Sequence, residues 1–201
     1  MGHRTRRIVM GISGASGACY ALRTLGVLLG GGHEVHLVVS DYGRRLLAQE
    51  ASISGLTRES LVPATLGGEL VIHPNKDVGA VIASGSFMHD GMVVLPCSST
   101  SLGAIATGSG SNLLTRAAMV TLKERRVLVL CHRETPLSLV DIENMRRLTL
   151  AGGIVCPTNP GFYLDPQRVE DLVDFMAGKV LDLLGIEHEL ATRWKGPESG
   201  R

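Results

Sequence analysis

The stretch RIVMGISGASGACYALRTLGVLLGGGHEVHLVV (Arg7–Val39) decides the fold. RIVMGI (Arg7–Ile12) is an apolar run stopped by glycines, Ala18–Leu29 has apolar residues at helical spacing, and EVHLVV (Glu34–Val39) is a second apolar run ending at Ser40. Strand, glycine turn, helix and strand make one βαβ unit, whose crossover requires parallel pairing and a right-handed connection. Working outward, Asp41–Glu50 reads as a helix, Thr57–Leu61 as one helical turn and Leu70–His73 as a short strand. GMVVL (Gly91–Leu95) is a buried strand closed by Pro96, and two helical pieces follow, Ser99–Ala106 and Asn112–Lys123, broken at Gly108–Ser111. RVLVLC (Arg126–Cys131) is a further strand. Thr135 before Pro136 reads as an N-cap with proline at the first helical position, so a helix is expected to run to about Leu150. Gly153–Cys156 is the last strand, and Val169–Leu184 an amphipathic helix.

Strands without polar alternation, separated by helices, imply a parallel sheet covered on both faces. The expected fold is therefore α/β, a three-layer Rossmann-like domain over residues 1–201, with 1–6 and about 187–201 peripheral. In such sheets ligands bind beyond the carboxyl ends of the strands. That rule selects Ser13 to Gly17, Ser40, Ser98 to Ser101, Arg133 with Glu134, and the loop through Tyr163.

Composition narrows the chemistry. The 201 residues are 44 % hydrophobic and 19 % charged, enough to bury a sizeable core. The net charge of +1 supplies no global attraction to nucleic acid or an anionic membrane, and 3 % aromatic residues leave few platforms on which bases could stack. Cys19, Cys97, Cys131 and Cys156 form no CxxC pair and read as buried thiols; the seven histidines show no metal-ligand spacing, so no metal is expected. The basic N-terminus precedes too few apolar residues for a secretory segment or a membrane span, which leads to the expectation of a cytoplasmic protein.

Three segments carry candidate chemistry. In GISGASG, Gly11, Gly14 and Gly17 let the backbone approach a ligand, and the helix that follows offers amides to an anion or polar ring. The spacing is not the dinucleotide fingerprint GxGxxG, and GASGA lacks the final glycine of a nucleophile elbow. In PCSSTS (Pro96–Ser101), four consecutive hydroxyl residues exceed what one N-cap needs, and the excess suggests hydrogen bonds to a ligand. From Arg116 to Arg133 the chain holds Arg116, Lys123, Arg125, Arg126 and Arg133, five cations in eighteen residues, as a phosphate site would need; Arg125 and Arg126 read as a solvated face.

Taken with ASGSF (Ala83–Phe87), NLLTRAAMVTLKERRVLVLCHRETPLS (Asn112–Ser138), IENM (Ile142–Met145) and PGFYLDPQ (Pro160–Gln167), these segments resemble the UbiX-type flavin prenyltransferases over nearly the whole chain. The resemblance implies that Gly14, Ala15, Ser16, Ser40, Ser98, Ser99, Thr100, Ser101 and Arg133 hold FMN, and that Arg116, Lys123, Arg133, Glu134, Tyr163 and Lys179 surround dimethylallyl phosphate. It further implies that Ser16, Glu134 and Lys123 act in catalysis, and that no metal is used. Family members join a prenyl group to N5 and C6 of reduced FMN, form homo-oligomers, here expected as a dodecamer, with sites at subunit contacts, and supply UbiD-type decarboxylases. The chain departs from the family's usual residues at Met119, Asp141 and Lys179, where Asp, His and Arg are commoner. An FMN-dependent cysteine or phosphopantothenoylcysteine decarboxylase, and a non-catalytic flavin-binding subunit, are the alternative readings. The first would carry a PASANT-like segment where this chain has PCSSTS; the second would be expected to lack Lys123 or Glu134.

Overall fold

Short runs of β-branched and aliphatic residues, apolar toward both faces, assemble the sheet. In the computed structural model, which describes residues 4–190 and 192, the strands are β1 (Arg7–Ile12), β2 (Glu34–Val39), β3 (Glu69–His73), β4 (Gly91–Cys97), β5 (Leu128–His132) and β6 (Ile154–Val155). All pairs are parallel and the spatial order is β3-β2-β1-β4-β5-β6. Order reverses between β1 and β4, so the crevice for a ligand lies beyond Ile12 and Cys97.

The helices are α1 (Ala18–Gly30), α2 (Asp41–Ala51), α3 (Arg58–Leu61), α4 (Ser99–Ala106), α5 (Leu113–Lys123), α6 (Leu139–Leu150) and α7 (Val169–Leu183). Alternation along β1 sends Ile8, Met10 and Ile12 to one core, with Leu25 and Leu28 of α1 and Val180 and Leu181 of α7. Val9 faces the other, with Leu102 of α4, Leu113 and Leu114 of α5 and Leu148 of α6. The three layers expected from the sequence are present.

Four elements depart from the sequence reading, and the others agree with it to within one residue. β4 continues through Pro96 to Cys97, with a register shift between Val94 and Cys97 that accommodates a residue lacking an N–H. The Pro96 carbonyl accepts both the amide and the hydroxyl of buried Ser13, at 3.1 and 2.9 Å, and Ser13 Oγ accepts Ser98 N–H at 2.7 Å, joining the two turns at the switch point. α6 begins at Leu139 rather than Pro136. Ser138 caps it, its hydroxyl accepting Asp141 N–H while the Asp141 carboxylate accepts Ser138 N–H; this two-way capping box satisfies donors that a Thr-Pro start could not. β5 starts at Leu128, because the Arg126 guanidinium turns to the Phe87 and Gly85 carbonyls, each at 2.7 Å; Arg126 is therefore a loop anchor, not part of a solvated face. β6 shrinks to two residues. Among the cysteines Cys97 and Cys131 are buried as expected, whereas Cys156 is half-buried and Cys19, on the outer side of α1, is exposed.

Among the described residues no helix is long and apolar enough to cross a membrane, and no three His, Cys, Asp or Glu side chains converge as metal ligands.

Candidate functional site

The turns after β1, β4 and β5 meet at the switch point. Gly14 lies against α2: a Cβ on it would stand 2.3 Å from Tyr42 Cβ, so the close approach there requires glycine. Gly17 has φ of 124°, which makes the turn into α1. The amides of Gly17 and Ala18 both donate to Glu50 Oε2 at 2.9 Å. Burial opposes the Glu50 charge, but the Ser16 hydroxyl, those two amides and the Arg133 guanidinium outweigh it and hold the carboxyl below the usual glutamate range.

That arrangement corrects one expectation. The first amides of α1, reserved by the sequence reading for a ligand, are taken by Glu50; in the turn before it the amides left without a partner among the described residues are those of Gly14, Ala15 and Ser16. Glu50 bears no sequence motif. One signal was present: an acid at the carboxyl end of α2 opposes the helix dipole, and such a residue has a use elsewhere. Ser40 N-caps α2, its hydroxyl accepting Gly43 N–H at 3.0 Å.

The PCSSTS hydroxyls divide their work. Ser98 caps α4 and donates to Ser101 Oγ at 3.2 Å. Ser99 meets His132 Nε2 at 3.0 Å and also donates to the Asp141 carboxylate. Thr100 is exposed and has no side-chain partner. Ser98 and Ser99 therefore hold the protein together, and the donors that remain for a ligand are the Thr100 and Ser101 hydroxyls and the first amides of the helix. The Ser138 hydroxyl, then the Ser99 hydroxyl and the Ser138 amide, pull the Asp141 carboxyl down to about 2. Burial lowers the His132 pKa, and Asp141 opposes that shift. The sequence reading gave His132 and Asp141 no part in this site.

These residues clamp both ends of the 133–138 turn, where β5 leaves at His132 and α6 begins at Ser138. Arg133 N–H donates to Cys97 O at 3.1 Å, and its half-buried side chain leaves Nε without a partner. Glu134 is exposed, with Oε1 accepting Thr135 N–H at 3.1 Å. Residues His132 to Leu137, Met145 and Pro157 to Asn159 line a cavity of about 300 Å³ here.

The expected phosphate residues do not all meet in this cavity. Tyr163 is exposed on the loop before α7, its ring edge-on to Phe175 with centroids 5.7 Å apart, and Lys179 is exposed on α7 and acts on Cys156. Arg116 and Lys123 are on α5, which packs over the opposite face of the sheet. Because α5 leads into the start of β5, Lys123 stands at the amino edge of the sheet, paired with Glu124 at 2.7 Å, while Arg133 stands at the carboxyl edge.

Residues 2–181 match the family model described as Flavoprotein. The flavin prenyltransferase UbiX of Halalkalibacterium halodurans is 45 % identical over 188 residues, which cover 92 % of this chain and 91 % of that protein. The chain belongs to the flavin prenyltransferase family. Its backbone superposes with a TM-score of 0.88 on the crystal structure of AnUbiX (PadA1) in complex with FMN and dimethylallyl pyrophosphate, at 38 % identity over 97 % of this chain and all of that one. A dodecameric FMN-dependent Ubix-like decarboxylase from Escherichia coli O157:H7 gives a TM-score of 0.85 at 38 % identity, over 94 % of this chain and all of that one.

Proposed function

We propose that this chain transfers the dimethylallyl group of dimethylallyl phosphate to N5 and C6 of reduced FMN, making the prenylated cofactor of UbiD-type decarboxylases, and that it works in the cytoplasm. The observation that carries the reading is the partnerless, buried Arg133 Nε at a cavity that also holds Glu134. A buried guanidinium nitrogen without an acceptor calls for an anion. FMN fits the neighbouring turns, where Gly14 leaves no room for a side chain and the Gly14 and Ala15 amides lack acceptors.

Bound reduced FMN supplies the nucleophilic ring positions. The chain's own residues do the rest. Gly14, Ala15, Ser16, Ser40 and the Ser98–Ser101 turn hold the flavin, with Arg133 between it and the prenyl phosphate. Ser16, hydrogen-bonded to Glu50, presents its hydroxyl at the mouth of the crevice. Arg133 and Lys179 balance the phosphate charge, Glu134 passes a proton to the departing phosphate, and Tyr163 closes the loop side. Arg116 and Lys123 reach this constellation from a second copy of the chain, since within one protomer Lys123 lies at the far edge of the sheet. A homo-oligomer, taken as a dodecamer, therefore completes the site.

The test is a mass spectrum of flavin extracted after incubation with reduced FMN and dimethylallyl phosphate. A five-carbon gain is expected; recovery of unaltered FMN would overturn the reading.

A further inference from the structure

We propose that Cys131 and Cys156 are a peroxide-responsive thiol pair that closes to a disulfide across β5 and β6 and slows the site beside it. The effect on the site rests on the proposed function; the thiol chemistry does not.

Leu130 stands opposite Val155 in the parallel pair, and Cys156 N–H donates to Leu130 O at 2.9 Å, so the next residue of each strand, Cys131 and Cys156, come side by side. Both pack against the core that includes Val129, Val180 and Leu181, which places their side chains on the same face of the sheet. Neighbouring strands are about 4.8 Å apart, inside the range of Cα separations a disulfide spans. Cys131 is fully buried, whereas Cys156 is half-buried at the strand end.

The pair is electronically unequal. Cys131 and, secondarily, the Lys179 charge lower the half-buried Cys156 thiol below the usual cysteine value against its burial, while Cys131, fully buried, is pushed up. Cys156 is then the nucleophile and Cys131 the resolving thiol. The oxidant is hydrogen peroxide, which dihydroflavin generates when it passes two electrons to oxygen. Cys156 thiolate attacks one peroxide oxygen, the O–O bond breaks, and hydroxide leaves and takes up the proton that Cys156 had released. The product is Cys156 sulfenic acid, its sulfur oxidised by two electrons. Cys131 sulfur then displaces hydroxide from Cys156, and that hydroxide leaves as water with the Cys131 proton. In sum, two thiols and one peroxide give one disulfide and two waters.

Closure draws the two Cβ atoms toward about 3.8 Å, a movement of about 1 Å at the end of β6. Pro157 to Asn159, directly after Cys156, line the cavity of Arg133 and Glu134. A misplacement of that size can cost about 10²-fold in rate. Lys179 also loses the thiolate it balances.

The experiment treats the full-length protein with a few equivalents of peroxide, blocks free thiols under denaturing conditions and maps the peptides by mass. The proposal expects a Cys131–Cys156 cross-linked peptide two hydrogens lighter than the reduced pair, prenylation at least tenfold slower, and both changes reversed by dithiothreitol. Cys131→Ala should gain two oxygens at Cys156 and not recover; Cys156→Ser should keep its rate through the treatment. Alkylation of both cysteines after peroxide, or a disulfide with unchanged turnover, overturns it. If no prenylated flavin forms before treatment, the functional reading fails, while the cross-linked peptide still scores the thiol pair and FMN affinity replaces turnover as the readout.

Discussion

Asp141→Asn removes one charge from the clamp behind Arg133 and Glu134 and keeps its shape. The Asp141 side chain is 8 % exposed and its carboxyl sits at about 2, against 3.8 for an ordinary aspartate. That gap corresponds to about 2 kcal/mol of folding free energy. Because the folded value is the lower one, the contribution is complete above the ordinary value and disappears as pH falls through about 2. Asparagine can still accept the Ser138 and Ser99 hydrogens but carries no charge, so the variant should lose about 2 kcal/mol at pH 7. For a chain of this length that is about 4 to 8 °C in Tm. Urea unfolding at pH 7 and at pH 2.5, at one protomer concentration, reads the difference. The gap between wild type and variant should shrink at the lower pH. An equal gap at both pH values would show that Asp141 contributes through shape alone, and no gap at pH 7 would remove it from the clamp. Looser anchoring of the 133–138 turn should also raise the KM for dimethylallyl phosphate.

Glu134→Gln keeps the size of the side chain and cannot pass a proton: turnover should fall by about 10² to 10⁴ with FMN affinity unchanged in a fluorescence titration. Lys179→Ala should weaken dimethylallyl phosphate by about ten- to a hundredfold, the loss of one charge-assisted hydrogen bond, read as KM at saturating FMN. Gly14→Ala would put a methyl 2.3 Å from Tyr42 Cβ, so the turn or α2 must shift, and both FMN affinity and Tm should fall. Lys123→Ala and Arg133→Ala should each be inactive alone, yet oligomers reassembled from a mixture should regain activity, because one intact crevice can then draw Lys123 and Arg133 from different copies. A mixture as inactive as its components would place both residues in one protomer's site.

Local pattern sufficed wherever one segment determines its own conformation. RIVMGI and GMVVL have almost no polar side chain to expose and EVHLVV only Glu34 and His36, which pair with each other, and the glycine turn between β1 and α1 follows from residues that tolerate a positive φ. Parallel order and the carboxyl-edge site followed from those strands. Where two local signals competed, the stronger one was not evident from the first. Thr135-Pro136 resembles a helix start, but Ser138 with Asp141 satisfies donors in both directions and sets the helix three residues later. Arg126 looked solvated because its acceptors, the Gly85 and Phe87 carbonyls, are remote in sequence.

The site itself was legible as a set of turns rather than as a set of bonds. Ser16 and Arg133 were named from their places after β1 and β5, but the carboxylate that joins them comes from Glu50, at the end of a helix the motifs do not include. The hydroxyl-rich turn after β4 invited a ligand, yet Ser99 turns inward because His132 and Asp141 arrive from two other elements. Direction of the chain decides the remaining question. α5 runs against β5, so the segment holding Arg116, Lys123 and Arg133, continuous in sequence, spans the sheet from one edge to the other. Five cations in eighteen residues therefore do not make one phosphate pocket in a single protomer: Lys123, Arg125 and Arg126 stand where α5 turns into β5, at the amino edge of the sheet, and Arg133 stands where β5 ends, at the carboxyl edge.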